Sequence, residues 1–307
     1  MGGGGQAPAL SLLNGAADPQ ILPVVGVAAF AGGLLRRWMG ERLGINNGLA
    51  QLFAAALLAG VVGGVATRFH VALDSGLVMM GPLLVLVPGP ALMGATFDLA
   101  GLRLLIGLAR LTYGLLSIVA LSAGVLIGAG LADGVAPDPN APPSDLSWWQ
   151  DMACAAMASA AYGVFFSIPY RMLALPVIVG ALAHGLRWFC LTELHLANAS
   201  AAGIGCLLVG VVVEPIARRW RLPFAAVGFA AVVAQVPGSF LFRMAAGLVE
   251  LQRAGAGAPL RLLAGIGADG GTALLTLVAM ALGLVIPKSI WMRLDSRRCR
   301  AAEHERF

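Results

Sequence analysis

Charge is what this chain has least of. Asp, Glu, Lys and Arg make up 11% of its 307 residues while 59% are hydrophobic, a balance outside the range of soluble proteins. The sequence is that of an integral membrane protein. Its net charge is +5, but the arginines fall in short clusters between apolar stretches and not along one polar face. That distribution points to anchoring at a bilayer surface and argues against nucleic acid as a partner. Cysteine is scarce as well: Cys154, Cys190, Cys206 and Cys299 stand far apart, with no CxxC or Cys/His ligand spacing. Neither a metal site nor a disulfide framework follows from them. HExxH, GxSxG and Walker motifs are missing. The parts of a membrane enzyme or of an ATP-driven pump are therefore not in evidence, and no cofactor is called for. The first twenty residues hold no Lys or Arg and so lack the basic start of a signal peptide.

What the chain has is long apolar runs. A helix needs roughly 20 apolar residues to cross about 30 Å of hydrocarbon. Runs of that kind lie at 21–37, 48–67, 77–96, 104–131, 148–168, 171–189, 198–217, 223–249 and 266–287. The expectation is an all-α polytopic helix bundle of about nine to ten spans. The proline- and aspartate-rich stretch "ADGVAPDPNAPPSD" can neither pack nor span and reads as a linker. It separates a tail (1–20) and a first membrane segment (21–131) from a second segment (148–287) and a basic tail (288–307), with the linker itself at 132–147. Arg36, Arg37 and Arg42 read as one basic loop, Arg218, Arg219 and Arg221 as another, and Arg293, Arg297, Arg298 and Arg300 as a basic tail. By the positive-inside rule these are cytoplasmic and the linker external, which puts the C-terminus inside and, with nine crossings, the N-terminus outside.

Two apolar runs carry helix breakers at their centres. "LVLVPGPALM" sets Pro88 and Gly89 inside one, and "AAVVAQVPGSFLF" sets Pro237 and Gly238 inside another. The flanks agree in order: "ILPVVGVAAFAGGLLRRW" matches "ALPVIVGALAHGLRWF", and "GLRLLIGLARL" matches "PLRLLAGIGAD". By the topology above, the two copies run in opposite directions, which makes the segments inverted repeats. Interrupted helices at matching places of inverted repeats mark secondary transporters, whose unwound backbone faces a central cavity. Paired breaks also build channel pores.

These residues are similar to a known family. The stretch from "GPLLVLVPGPALMGATFDLAGLRLL" to "GAGL", together with "HGLRWF", "PIARRWRLPFAAV" and "QVPGSFLFR", resembles the threonine/serine exporter family. The resemblance implies a bacterial inner-membrane exporter of small hydroxy amino acids driven by the proton gradient, with a dicarboxylate such as succinate as the substrate of some relatives. It also implies an N-terminal cytoplasmic region and a core of five plus five spans. Nothing before the run at 21–37 matches 148–168, so either the start is truncated or a partner subunit supplies that part. A homo-oligomer is the other assembly to expect.

Charged groups inside a bilayer are costly and need a reason. Asp98 follows the first VPG and Arg243 the second, and Arg110 and Asp269 are nearly equivalent, so matching segments carry opposite charges. A zwitterion needs one cationic and one anionic partner. Arg243 is thus the candidate for a substrate carboxylate, and Asp98 for its ammonium or for a coupling proton. If 223–249 were one straight helix, Arg243 would lie some 30 Å from Pro223 and would simply reach the far interface. Further proton-coupling candidates are His184 and Asp269. Gln235 and Ser239 flank the second break and can satisfy freed backbone or bind substrate hydroxyls. Glu214 and Arg218, spaced i, i+4, read as a structural pair, and Arg110 as structural charge.

Overall fold

The computed structural model describes residues 21–69, 75–132 and 147–304, all helix and turn with no strand among them. The N-terminal tail and almost the whole 132–147 linker lie outside the described residues. Eleven α-helices follow in order: α1 (Ile21–Leu43), α2 (Gly48–Arg68), α3 (Ser75–Leu86), α4 (Gly89–Ala100), α5 (Leu104–Leu131), α6 (Trp148–Phe165), α7 (Ala174–Thr192), α8 (Asn198–Arg219), α9 (Phe224–Val232), α10 (Gly238–Ala254) and α11 (Leu260–His304). Short 3-10 turns lie before α7, between α9 and α10, and between α10 and α11.

By length and composition, five described helical segments can cross a membrane, or six if α9 and α10 together form one broken span. The protein is a multi-pass membrane protein. The count is below the nine read from hydropathy, and the reasons are local. The run 77–96 is divided into α3 and α4, each of 12 residues, or about 18 Å at 1.5 Å per residue. Helix α6 has 18 residues and carries Gln150, Asp151 and Ser159. Helix α1 extends past the expected loop to Leu43, so Arg36, Arg37 and Arg42 are helical. At the other end, the expected tail continues α11 as far as His304. Its 45 residues make a rod of roughly 65 Å, twice the depth of a hydrocarbon core.

The two sides of the linker pack alike. In the first, α2 lies along α5, α1 along α2, and α4 along α5. In the second, α8 lies along α11, α7 along α8, and α10 along α11. Helix α6 stands outside this correspondence, packed on α7 and α9.

Small residues bring the long helices into backbone contact. A Cβ built on Gly124 would overlap the carbonyl of Phe53, and one on Gly128 that of Leu57, both on α2. On α11, Gly283 lies against the backbone of Gly203 and Leu207 in the same way. Such approach lets dispersion and weak polar contacts hold helices together where lipid offers no hydrophobic drive. Around these seams the core is filled by Leu83, Leu92, Leu121, Met280 and Leu284, all buried. Replacing Gly128→Ala should force α2 and α5 apart and lower stability by about 1–3 kcal/mol. Gly130→Ala has open space around it and should be neutral. Thermal unfolding of the detergent-solubilised variants checks both.

Candidate functional site at the paired helix breaks

Proline interrupts a helix by removing one N–H and by crowding the preceding turn. At the first break Pro88 has φ −75° and ψ 54°. At the second, Pro237 has φ −77° and ψ 51°. In both, the glycine N–H turns back onto the valine carbonyl two residues earlier: Gly89 N to Val87 O is 2.7 Å and Gly238 N to Val236 O is 2.7 Å. Each proline is thus the centre of an inverse γ-turn, a low-energy way to reverse the chain over three residues. At the second break the axis bends by 58°, which removes the straight helix that would have carried Arg243 to the far interface. Arg243 lies six residues beyond Pro237, about 9 Å along α10.

A γ-turn leaves carbonyls of the preceding turn without their helical N–H, and an unpaired carbonyl in an apolar interior is costly. The structure supplies side chains. The Tyr162 hydroxyl donates to Val85 O at 2.9 Å, and His184 Nε2 lies 3.4 Å from Ala234 O. Val85 and Ala234 each stand three residues before their proline. On its other side, the His184 ring meets Asp151: Nδ1 makes a short contact with Oδ2, with both residues buried. A ring with two N–H groups satisfies both oxygens. A ring with one leaves Asp151 or Ala234 unserved.

The two breaks touch. A Cβ on Gly89 would lie 3.4 Å from Val236 Cγ2, and one on Gly238 would lie 3.0 Å from Leu84 Cδ2 and 3.1 Å from Val87 Cγ2. The space between them is nearly closed. A void of about 10 Å³ lies between Gly89, Pro90, Phe229 and Val236, and one of about 20 Å³ beside Ser122 and Arg243. Each has room for about one water. A far larger cavity, about 460 Å³, lies on the other side of the first break, between α1 and Val87-Pro88.

The charged candidates pair within their own side of the chain. Asp98 accepts from Arg110 Nη1 at 2.7 Å, with Arg103 Nη1 at 3.9 Å. Arg243 binds Asp269 through two nitrogens, at 2.6 and 3.3 Å, and stacks on Phe240 at 4.6 Å. Gly94 makes room for the first pair, since a Cβ there would lie 2.9 Å from Arg110 Nη1. Arg110 and Asp269 are therefore the counter-ions of the two residues expected to bind substrate. Gln235 is buried, takes a weak contact from Cys206 Sγ at 3.9 Å, and its Nε2 has no partner among the described residues. Ser239 is half-buried in the first turn of α10. Glu214 and Arg218 form the expected pair at 2.6 Å.

Asp151 and Tyr162 were not among the expected site residues, and Arg187 was noted only as the neighbour of His184. Asp151 was an acid inside an expected span, which is itself a signal. Arg187, one turn after His184, donates to Asn198 Oδ1 at 2.6 Å, and Asn198 continues to Thr276 Oγ1 at 3.1 Å.

Paired breaks in a helical membrane core are the pattern by which membrane transport proteins line a central site. The comparisons narrow the class: residues 1–132 match the family model "Putative threonine/serine exporter" and residues 151–290 match "Threonine/Serine exporter, ThrE". The chain belongs to the threonine/serine exporter family. No curated protein and no solved structure gives a significant match.

Tyr162→Phe removes the donor to Val85 O and should destabilise by about 1–3 kcal/mol. Arg243→Ala strands Asp269 and should cost about 3–5 kcal/mol, while Arg243→Ala/Asp269→Ala together should cost less than the single change. Unfolding midpoints in detergent give the three values.

Proposed function

We propose that the protein is a proton-coupled secondary carrier that exports threonine and serine across the bacterial inner membrane, with its C-terminus cytoplasmic. The observation that carries the reading is the pair of VPG breaks with the same backbone geometry, in contact at the core of a chain of this family. The membrane segments 21–131 and 148–287 act as two oppositely oriented copies, and rocking of one against the other opens and closes the space between the breaks. The tight packing of Gly89 on Val236 and of Gly238 on Val87 is then the occluded arrangement. The bound pairs Asp98–Arg110 and Arg243–Asp269 let four charges reside in apolar surroundings. Opening either pair frees α4 from α5 or α10 from α11, which links the pairs to the rocking movement.

The proton step falls to His184 and Asp151. Release of the Nε2 proton leaves the Ala234 carbonyl without its donor, so protonation and the shape of the second break are linked.

Counterflow in proteoliposomes with labelled threonine, serine and succinate tests the reading. Inhibition by excess threonine and serine is expected. Failure of both to compete, or an ohmic current through the reconstituted protein, would overturn it. In Asp151→Asn and His184→Gln, accumulation driven by a pH gradient should fall to background while threonine counterflow persists. Retained gradient-driven accumulation in both variants removes the pair from coupling.

A further inference from the structure

Several arginines are matched. Arg37 binds Glu41 at 2.7 Å, and Arg110, Arg187, Arg218 and Arg243 each have the partner given above. Arg36 differs from them. Among the described residues its Nε is buried without a hydrogen-bond partner, as is that of Arg187, but Arg187 is bound through Nη2 whereas no acceptor meets Arg36. A buried cationic donor left unpaired is costly and calls for an explanation.

The surroundings supply one. Arg36 lines the cavity of about 460 Å³ beside the first break, a volume in the range of small-molecule sites. Most of its wall is apolar, with Arg36, Arg37, Tyr113 and Tyr162 the polar exceptions. Tyr113 and Tyr162 line it from α5 and α6. Leu86, on the break side, has a carbonyl whose helical partner would be the N–H of residue 90; that residue is Pro90, which has none. The wall therefore holds Arg36 on α1 and Leu86 at the end of α3, whose carbonyl has no helical partner. The N-terminus of α4 is not a rival anion site, because Gly89 N–H is turned back onto Val87 O and Ala91 N–H onto Pro88 O at 3.0 Å.

We propose that this cavity is a substrate site in which Arg36 binds the carboxylate of a small amino acid and the proline-freed carbonyl of Leu86 takes its ammonium. The assignment rests on the exporter reading above and locates the carboxylate ligand at Arg36, a residue that the sequence pattern had assigned to membrane anchoring. Guanidinium suits the task because its fork matches a carboxylate and it keeps its charge in an apolar wall. The neighbouring Tyr162 hydroxyl is already committed to Val85 O, so an occupant of the cavity lies against the very turn whose geometry sets the break. An anionic lipid headgroup shares the chemistry that Arg36 recognises, and the test separates the two.

The experiment is counterflow of labelled L-threonine competed by unlabelled L-threonine or by L-threoninol, which keeps the amine and hydroxyl but has no carboxylate. It is run in vesicles of phosphatidylcholine alone and with phosphatidylglycerol added. Arg36→Gln should raise the half-saturating threonine concentration about tenfold or more, the scale of a lost charged hydrogen bond, and leave threoninol competition unchanged. The preference for threonine over threoninol thus narrows, in both lipids alike. Arg36→Gln with the wild-type preference overturns the proposal, as does a defect confined to vesicles containing phosphatidylglycerol. Ala29→Phe, which fills the same cavity from α1, provides a second arm if Arg36→Gln does not fold. Wild-type half-saturation in Ala29→Phe also overturns the site. Absence of threonine and serine counterflow in the unsubstituted protein would instead be a failure of the exporter reading itself.

Discussion

A carbonyl that has lost its helical N–H must find another donor when no water is at hand, and the architecture around both breaks answers to that constraint. Pro88 and Pro237 each close a three-residue turn on the following glycine, which satisfies the valine carbonyl and exposes the one two residues before it. The exposed oxygens are met from the second half of the chain by Tyr162 and His184. Because those donors are side chains and not backbone, their reach fixes where α6 and α7 lie relative to α3 and to the turn after α9. The glycine at each break then lets the opposite turn pack against it.

The ions obey a related rule. Four charged groups within or beside apolar helices are arranged as two neighbouring pairs, each between the helix that follows a break and the long helix after it. The polarity is reversed between them, carboxylate on α4 and guanidinium on α10. Either pair neutralises its own region and ties a short helix to a long one, so a disturbance at a break is felt along α5 or α11. Arg36 stands apart from this scheme, on the far wall of the first break and facing open volume.

Much of this was legible in the letters. The breaks, the order of matching segments and the long apolar helices followed from proline position and hydropathy, and the motif residues gave the family. Matching also paired Asp98 with Arg243 and Arg110 with Asp269 as equivalents. What it could not give was that Asp98 holds Arg110 and Arg243 holds Asp269. Those contacts depend on the turns between helices: a tight one at Gly101–Arg103 and a longer one through Gly255–Gly257, so the partners stand 12 residues apart in one case and 26 in the other. Helix α1 was cut short on paper because Arg36 and Arg37 look like a loop, whereas in space both line a cavity and Arg37 also pairs with Glu41. Asp151 was hidden among alanines, and only the neighbouring helix reveals its partner.

Helix α6 has no counterpart among the described residues before the linker, yet it reaches both breaks, with Tyr162 directly at one and Asp151 through His184 at the other. The two reinforcements are unlike in kind. A phenol hydroxyl donates without condition, whereas an imidazole nitrogen donates only while it carries a proton, and in the singly protonated ring that proton has two claimants. Two turns of the same shape are therefore held by unlike donors, one bolted and the other merely latched.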